Sequence, residues 1–166
     1  MTLQGGAGRR AAAAILVLTL AAGLLLSACG GGYRYVRSLG GRQVRVTVVN
    51  TEQANLNNPV ALDFLLVFDE KVEGEAAKLT ARQWFEKKAQ FKRDHILNQD
   101  YVLFEYEFVP GDPVPVIEIP YTVSGRSLLV YADYYTPGEH RVRMDPRKDA
   151  TITLKERGFT LAVTGE

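Results

Sequence analysis

The sequence predicts a mainly β fold, a β-sandwich of about seven to eight short strands with one helix inserted after strand two. Three observations carry that expectation. From Gln43 onward, short runs alternate apolar and polar residues with the period of two that places side chains on opposite faces of a strand. Clusters of turn-formers, such as Asn57-Asn58-Pro59, Pro110-Gly111-Asp112-Pro113 and Ser124-Gly125-Arg126, divide those runs. A single stretch, opening at Thr80, changes to helical spacing.

Taken in order, Val44, Val46 and Val48 alternate with Arg45, Thr47 and Val49, as in a half-buried strand. Residues 50–59 break it. A second strand is expected from Val60 to Asp69, apolar at both parities and therefore covered on both faces. Thr80 and Gln83 form a capping box, in which the threonine hydroxyl takes the N3 amide and the glutamine reaches back. They predict one helix over Ala81 to Arg93, whose Trp84, Phe85 and Phe91 make a narrow apolar stripe packed on the sheet. Next, Val102, Phe104, Tyr106 and Phe108 face one way while Leu103, Glu105 and Glu107 face the other. Further strands are expected at Val114 to Tyr121, edge-like because of Pro115 and Pro120, and at Leu128 to Tyr135. Three short ones complete the set, at Arg141 to Met144, Ala150 to Lys155 and Phe159 to Val163.

Ahead of these strands the chain has the layout of an export signal. Arg9-Arg10 precede an uncharged run from Ala11 to Leu26, which ends in small residues before Cys29, the only cysteine. Gly30-Gly31-Gly32 follow, not a basic stop-transfer cluster, so a permanent span is not expected. Leu26-Ser27-Ala28-Cys29 resembles the lipobox of bacterial lipoproteins, in which the signal is cut before a cysteine that carries the lipid. That resemblance implies a signal over 1–28, a lipidated flexible tether over 29–41, rich in glycine, and a sandwich domain over 42–166. One acyl chain holds marginally, whereas two or more anchor stably. Gly30 follows the cysteine in place of the aspartate associated with inner-membrane retention, so the expected location is the outer membrane, facing the periplasm.

Charge and motifs exclude more than they assign. The chain has 20 basic and 19 acidic side chains, which argues against nucleic-acid binding. His95 and His140 stand apart from any residues at metal-ligand spacing and are expected on the surface. Glu105 and Glu107 share a strand face, as acid–base pairs do, but solvated alternation explains them more simply. No phosphate loop or nucleophile elbow is present, so no catalytic residue, metal, cofactor or small-molecule substrate is expected. Tyr131, Asp133, Tyr134 and Tyr135 form an aromatic-polar cluster of the kind interfaces use.

The order of these features resembles the TssJ family, the outer-membrane lipoproteins of the type VI secretion system. The resemblance rests on Val44-Arg45-Val46-Thr47-Val48-Val49, Asn57-Asn58-Pro59-Val60, the apolar run Leu62 to Phe68, and Gln83-Trp84-Phe85-Glu86. Ile119-Pro120-Tyr121 and Leu128 to Tyr134 add to it, over about residues 42 to 163 in all. It implies a transthyretin-like sandwich and a non-enzymatic role. That role is to anchor the secretion membrane complex by holding the periplasmic C-terminal region of the inner-membrane protein TssM. It further implies that the loop Glu52 to Asn58, with Asn55, Leu56 and Asn57 as candidates, touches that partner. The alternative is a periplasmic ligand-binding or pilotin-like, chaperone-like lipoprotein whose Trp84/Phe85/Phe91 stripe lines a groove.

Overall fold

The computed structural model describes residues 42–164, so Cys29 and the expected signal and tether lie outside the described residues. Eight strands form two four-stranded sheets. The first has the order β4-β1-β7-β8, with β1 Gln43–Asn50, β4 Ile117–Pro120, β7 Asp149–Lys155 and β8 Gly158–Thr164. Val44, Val46 and Val48 are buried while Arg45, Thr47 and Val49 face outward, as the period of two requires. β1 and β7 run parallel, with Val46 beside Ala150 and Asn50 beside Leu154; β1–β4 and β7–β8 are antiparallel.

The second sheet is antiparallel throughout, in the order β3-β2-β5-β6, with β2 Val60–Val67, β3 Tyr101–Phe108, β5 Ser127–Ala132 and β6 Arg141–Met144. Its inner face supplies Leu62, Phe64, Leu66, Leu128 and Val130 to a core shared with Val44, Val46, Ile119, Ile152 and Leu154 of the first sheet. Its outer face is also covered. There Leu65, Val67, Leu129 and Tyr131 pack under α1 (Glu70–Ala76) and α2 (Ala81–Asp94), whose Val72, Ala76, Ala81, Trp84 and Phe91 complete a second cluster. The molecule therefore has three layers, sheet on sheet and helices on the second sheet.

α2 follows the expectation closely. Thr80 Oγ1 accepts from the Gln83 amide at 3.3 Å, and Gln83 Oε1 accepts from the Thr80 amide at 3.0 Å. Trp84 is fully buried and stacks on Tyr131 at 4.8 Å, while Phe91 packs edge-on to it at 5.0 Å. Trp84 and Phe91 of the stripe are thus spent on the sheet, and Phe85 packs partly buried against the same cluster.

The expected strand from Leu128 to Tyr135 ends at Ala132, and that from Val114 to Tyr121 is confined to Ile117–Pro120; two further expectations need correction. The second strand ends at Val67, not Asp69, because the Asp69 carboxylate accepts from the amides of Lys71 (2.8 Å) and Val72 (3.2 Å) and caps a helix instead. That helix, α1, is additional to the single one expected. Its charged, glycine-containing sequence Glu-Lys-Val-Glu-Gly-Glu-Ala has too few apolar positions for a helical stripe to stand out.

An acid inside β2 locks the helical layer in place. Asp63 is 1% exposed and accepts from Trp84 Nε1 and from Lys88 Nζ, both at 2.8 Å. Lys88 also meets Glu105 at 2.9 Å, and Lys92 meets the other Glu105 oxygen at 2.6 Å. Burial pushes the Lys88 ammonium down, but the hydrogen bonds to Asp63 and Glu105 together outweigh it and hold its pKa above the ordinary value. A carboxylate so deep in an apolar strand is tolerable only with such partners.

Candidate functional site

Among the described residues, the connection from β1 to β2 concentrates the left-handed backbone. Asn55, Leu56 and Asn57 have φ of 49°, 56° and 63°, three successive residues in the left-handed region. Asparagine tolerates that region because its short amide bonds locally; leucine does not, and pays roughly 1–2 kcal/mol for it. The conformation persists because the loop is held from several sides. Thr51 Oγ1 donates to the Leu154 carbonyl at 2.8 Å, and the Leu56 amide donates to the Glu156 carbonyl at 3.0 Å. Asn58 Nδ2 donates to the Leu56 carbonyl at 3.0 Å and to the Asn55 carbonyl at 3.2 Å.

Asn55 is the brace. It is 1% exposed; its Nδ2 donates to the Pro59 carbonyl at 2.8 Å and the Asp133 carbonyl at 3.4 Å, and its Oδ1 accepts from the Tyr135 amide at 2.8 Å. The structure thus divides the three candidate residues. Asn55 positions the loop from within, whereas Leu56, 41% exposed, and Asn57 are what the loop presents. Strained backbone persists only where the surrounding structure over-determines it, as the braces on this loop do.

Beside the loop lies a cleft of about 300 Å³, floored by Ala61 and walled by Pro59, Arg82, Glu107, Asp133 and Tyr135. Asp133 and Tyr135, the latter 67% exposed, are the members of the tyrosine cluster that reach the surface. Tyr131 turns into the helical layer and donates to the Ala76 carbonyl at 2.7 Å; Tyr134 is buried, with its pKa pushed up by that burial to about 12. The expected single patch is therefore split between two layers, as an odd and an even position three apart would suggest. Arg82 carries no signal in the sequence beyond ordinary surface charge, and Glu107 stands out there only as the strand-face neighbour of Glu105.

Neither histidine is on the surface as expected; both are half-buried. His95 lies at the C-terminal end of α2, with Nε2 3.3 Å from the Glu75 carboxylate and its ring 4.4 Å from that of Phe91. His140 stacks on Tyr134 at 4.8 Å, with Nε2 2.8 Å from the Thr136 carbonyl. Glu105 and Glu107 share a face, but Glu105 is committed to two lysines. The hydrogen bond from Lys92, then burial in the opposite sense and the Lys88 contact, leave its pKa below the ordinary carboxylate value. No group of histidines, cysteines or acids among the described residues is arranged to hold a metal ion.

Sheet order, the covered second sheet and the braced loop define a class, the β-sandwich with a helical layer on one face. No family model and no curated protein matches the chain. Solved structures do. A chain of a type VI membrane complex superposes with a TM-score of 0.57 at 14% identity, over 73% of this chain and 98% of that one. The T6SS lipoprotein TssJ1 from Pseudomonas aeruginosa gives 0.54 at 16% identity, over 75% and 99%. Serratia marcescens Lip, a membrane bound component of the type VI secretion system, gives 0.54 at 12% identity, over 72% and 96%. Within its class, the chain has the fold of type VI secretion lipoproteins.

Proposed function

We propose that this protein is a non-enzymatic subunit of a type VI secretion membrane complex, anchored at the periplasmic face of the outer membrane by lipid on Cys29. Its partner is the periplasmic C-terminal region of a TssM-like inner-membrane protein. The observation that carries the proposal is the β1–β2 loop, where buried Asn55 holds exposed Leu56 in a backbone region that leucine avoids. Backbone strain of this kind clusters at binding and active sites.

Geometry supports the same reading. The chain enters the domain at Arg42, whose carbonyl accepts from the Tyr121 amide at 3.1 Å, and β1 then runs eight residues, roughly 26 Å, toward the loop. Arg42 and Leu56 therefore lie toward opposite ends of β1.

The test is Leu56→Asn in the full chain, measured for stability and for binding to the TssM periplasmic fragment. Asparagine tolerates the left-handed region, so stability rises by about 0.5–1 kcal/mol while binding weakens at least about tenfold. Unchanged binding would remove the loop from the interface, and no binding of the unsubstituted chain at tens of micromolar would overturn the function.

A further inference from the structure

The two sheets end in four edge strands, and three of them carry devices that block strand addition. β4 is four residues long, with Glu118 and Pro120 in it and Pro115 just ahead. β6 is equally short and carries Arg141 and Arg143. β3 bears Glu105 and Glu107, with Lys88 and Lys92 of α2 reaching over to Glu105. A row of charges resists a neighbouring backbone because pairing would strip their water.

β8 has none of these. Gly158-Phe159-Thr160-Leu161-Ala162-Val163-Thr164 is seven residues long, without charge or proline, and β-branched or aromatic at four positions. It pairs with β7 along its whole length, and among the described residues nothing pairs with its other side. Its core-facing residues Phe159 and Leu161 rest on the sandwich interior, but Val163 remains 49% exposed.

We propose that β8 is a self-association edge, pairing antiparallel with β8 of a second copy of this chain to join two four-stranded sheets into one of eight. The strand is complementary to itself. An antiparallel two-fold centred on Leu161 uses all seven residues, keeps each side chain on its own face, and sets Phe159 of one copy opposite Val163 of the other. That is an aromatic–β-branched pair, which covers the exposed valine. On the outer face it sets Thr160 opposite Ala162. Absence of charge removes the like-charge repulsion that a two-fold brings to most surface strands. A foreign strand would fit the backbone too, but it has no such built-in register.

The experiment uses the full chain extracted in detergent, with its mass followed by sedimentation across a concentration series. Thr160 and Ala162 are both exposed, so substitution there spares the core. The unsubstituted chain is expected to dimerise, T160K/A162K to dimerise at least about tenfold more weakly, and T160K/A162E to recover, because each lysine then faces a glutamate across the two-fold. Circular dichroism melts confirm that each variant is folded. A chain that stays monomeric to about 100 µM, a T160K/A162K variant that dimerises as tightly as the parent, or failure of T160K/A162E to recover would overturn the proposal.

Discussion

The two sheets of this sandwich were built under different constraints. The sheet that carries the helices is apolar on both faces, and its central strands read Val-Ala-Leu-Asp-Phe-Leu-Leu-Val and Ser-Leu-Leu-Val-Tyr-Ala. The other sheet alternates buried and open positions: Val44, Val46, Val48, Ala150, Ile152 and Leu154 point inward, while Arg45, Thr47, Val49, Thr151, Thr153 and Thr160 lie on its other face. A strand's composition thus reports how many of its faces are covered. The exception is Asp63, the one charged residue in the doubly covered strands, and it ties the helical layer to the sheet.

Trp84→Ala should break that contrast most severely. It removes the stack on Tyr131 and the bond to Asp63 and opens a cavity, costing about 3–5 kcal/mol in denaturant unfolding. Thr151→Ala on the open face should stay within about 0.5 kcal/mol, and a larger loss would mean that the open face is covered after all.

Asp63→Ala comes next, at about 2–3 kcal/mol, because it strands the buried Trp84 N–H and half of the Lys88 pairing. Adding Lys88→Met should cost less than the sum of the single changes, and strict additivity would show that the network does not act as a unit.

The smallest effect is on pH dependence. Glu105 has a depressed pKa, so its contribution is fully present above the ordinary carboxylate value of 4.5 and is lost as pH falls through the lower folded value. Its side chain is 44% exposed, so solvent screening holds the effect to under about 1 kcal/mol. Glu105→Gln should therefore lower stability at neutral pH by under about 1 kcal/mol and flatten the fall below pH 4.5, so that variant and parent converge in acid.

The legible parts of this fold were those set by nearby residues. The Thr80–Gln83 box began α2 where expected, and the apolar content of β2 correctly implied two covered faces. α1 was hidden because Asp69 caps a helix whose remaining residues are mostly charged. In the loop, Leu56 and Asn57 could be proposed as contacts from resemblance, but the burial of Asn55 depends on amide bonds to Tyr135 and Asp133, far along the chain.

Periodicity, capping and turn chemistry act over a few residues, so the sequence by itself determined that this is a two-faced β protein with a helix after its second strand. The expectation of an export signal ahead of Cys29 rests on equally local residues. Tertiary structure alone decided that β1 lies parallel to β7, that Asp63 meets Trp84, that the tyrosine cluster is divided between layers, and that β8 is an edge strand among the described residues. Each of those depends on which distant segments become neighbours. That choice is made by the packing of whole faces, and no single segment encodes it.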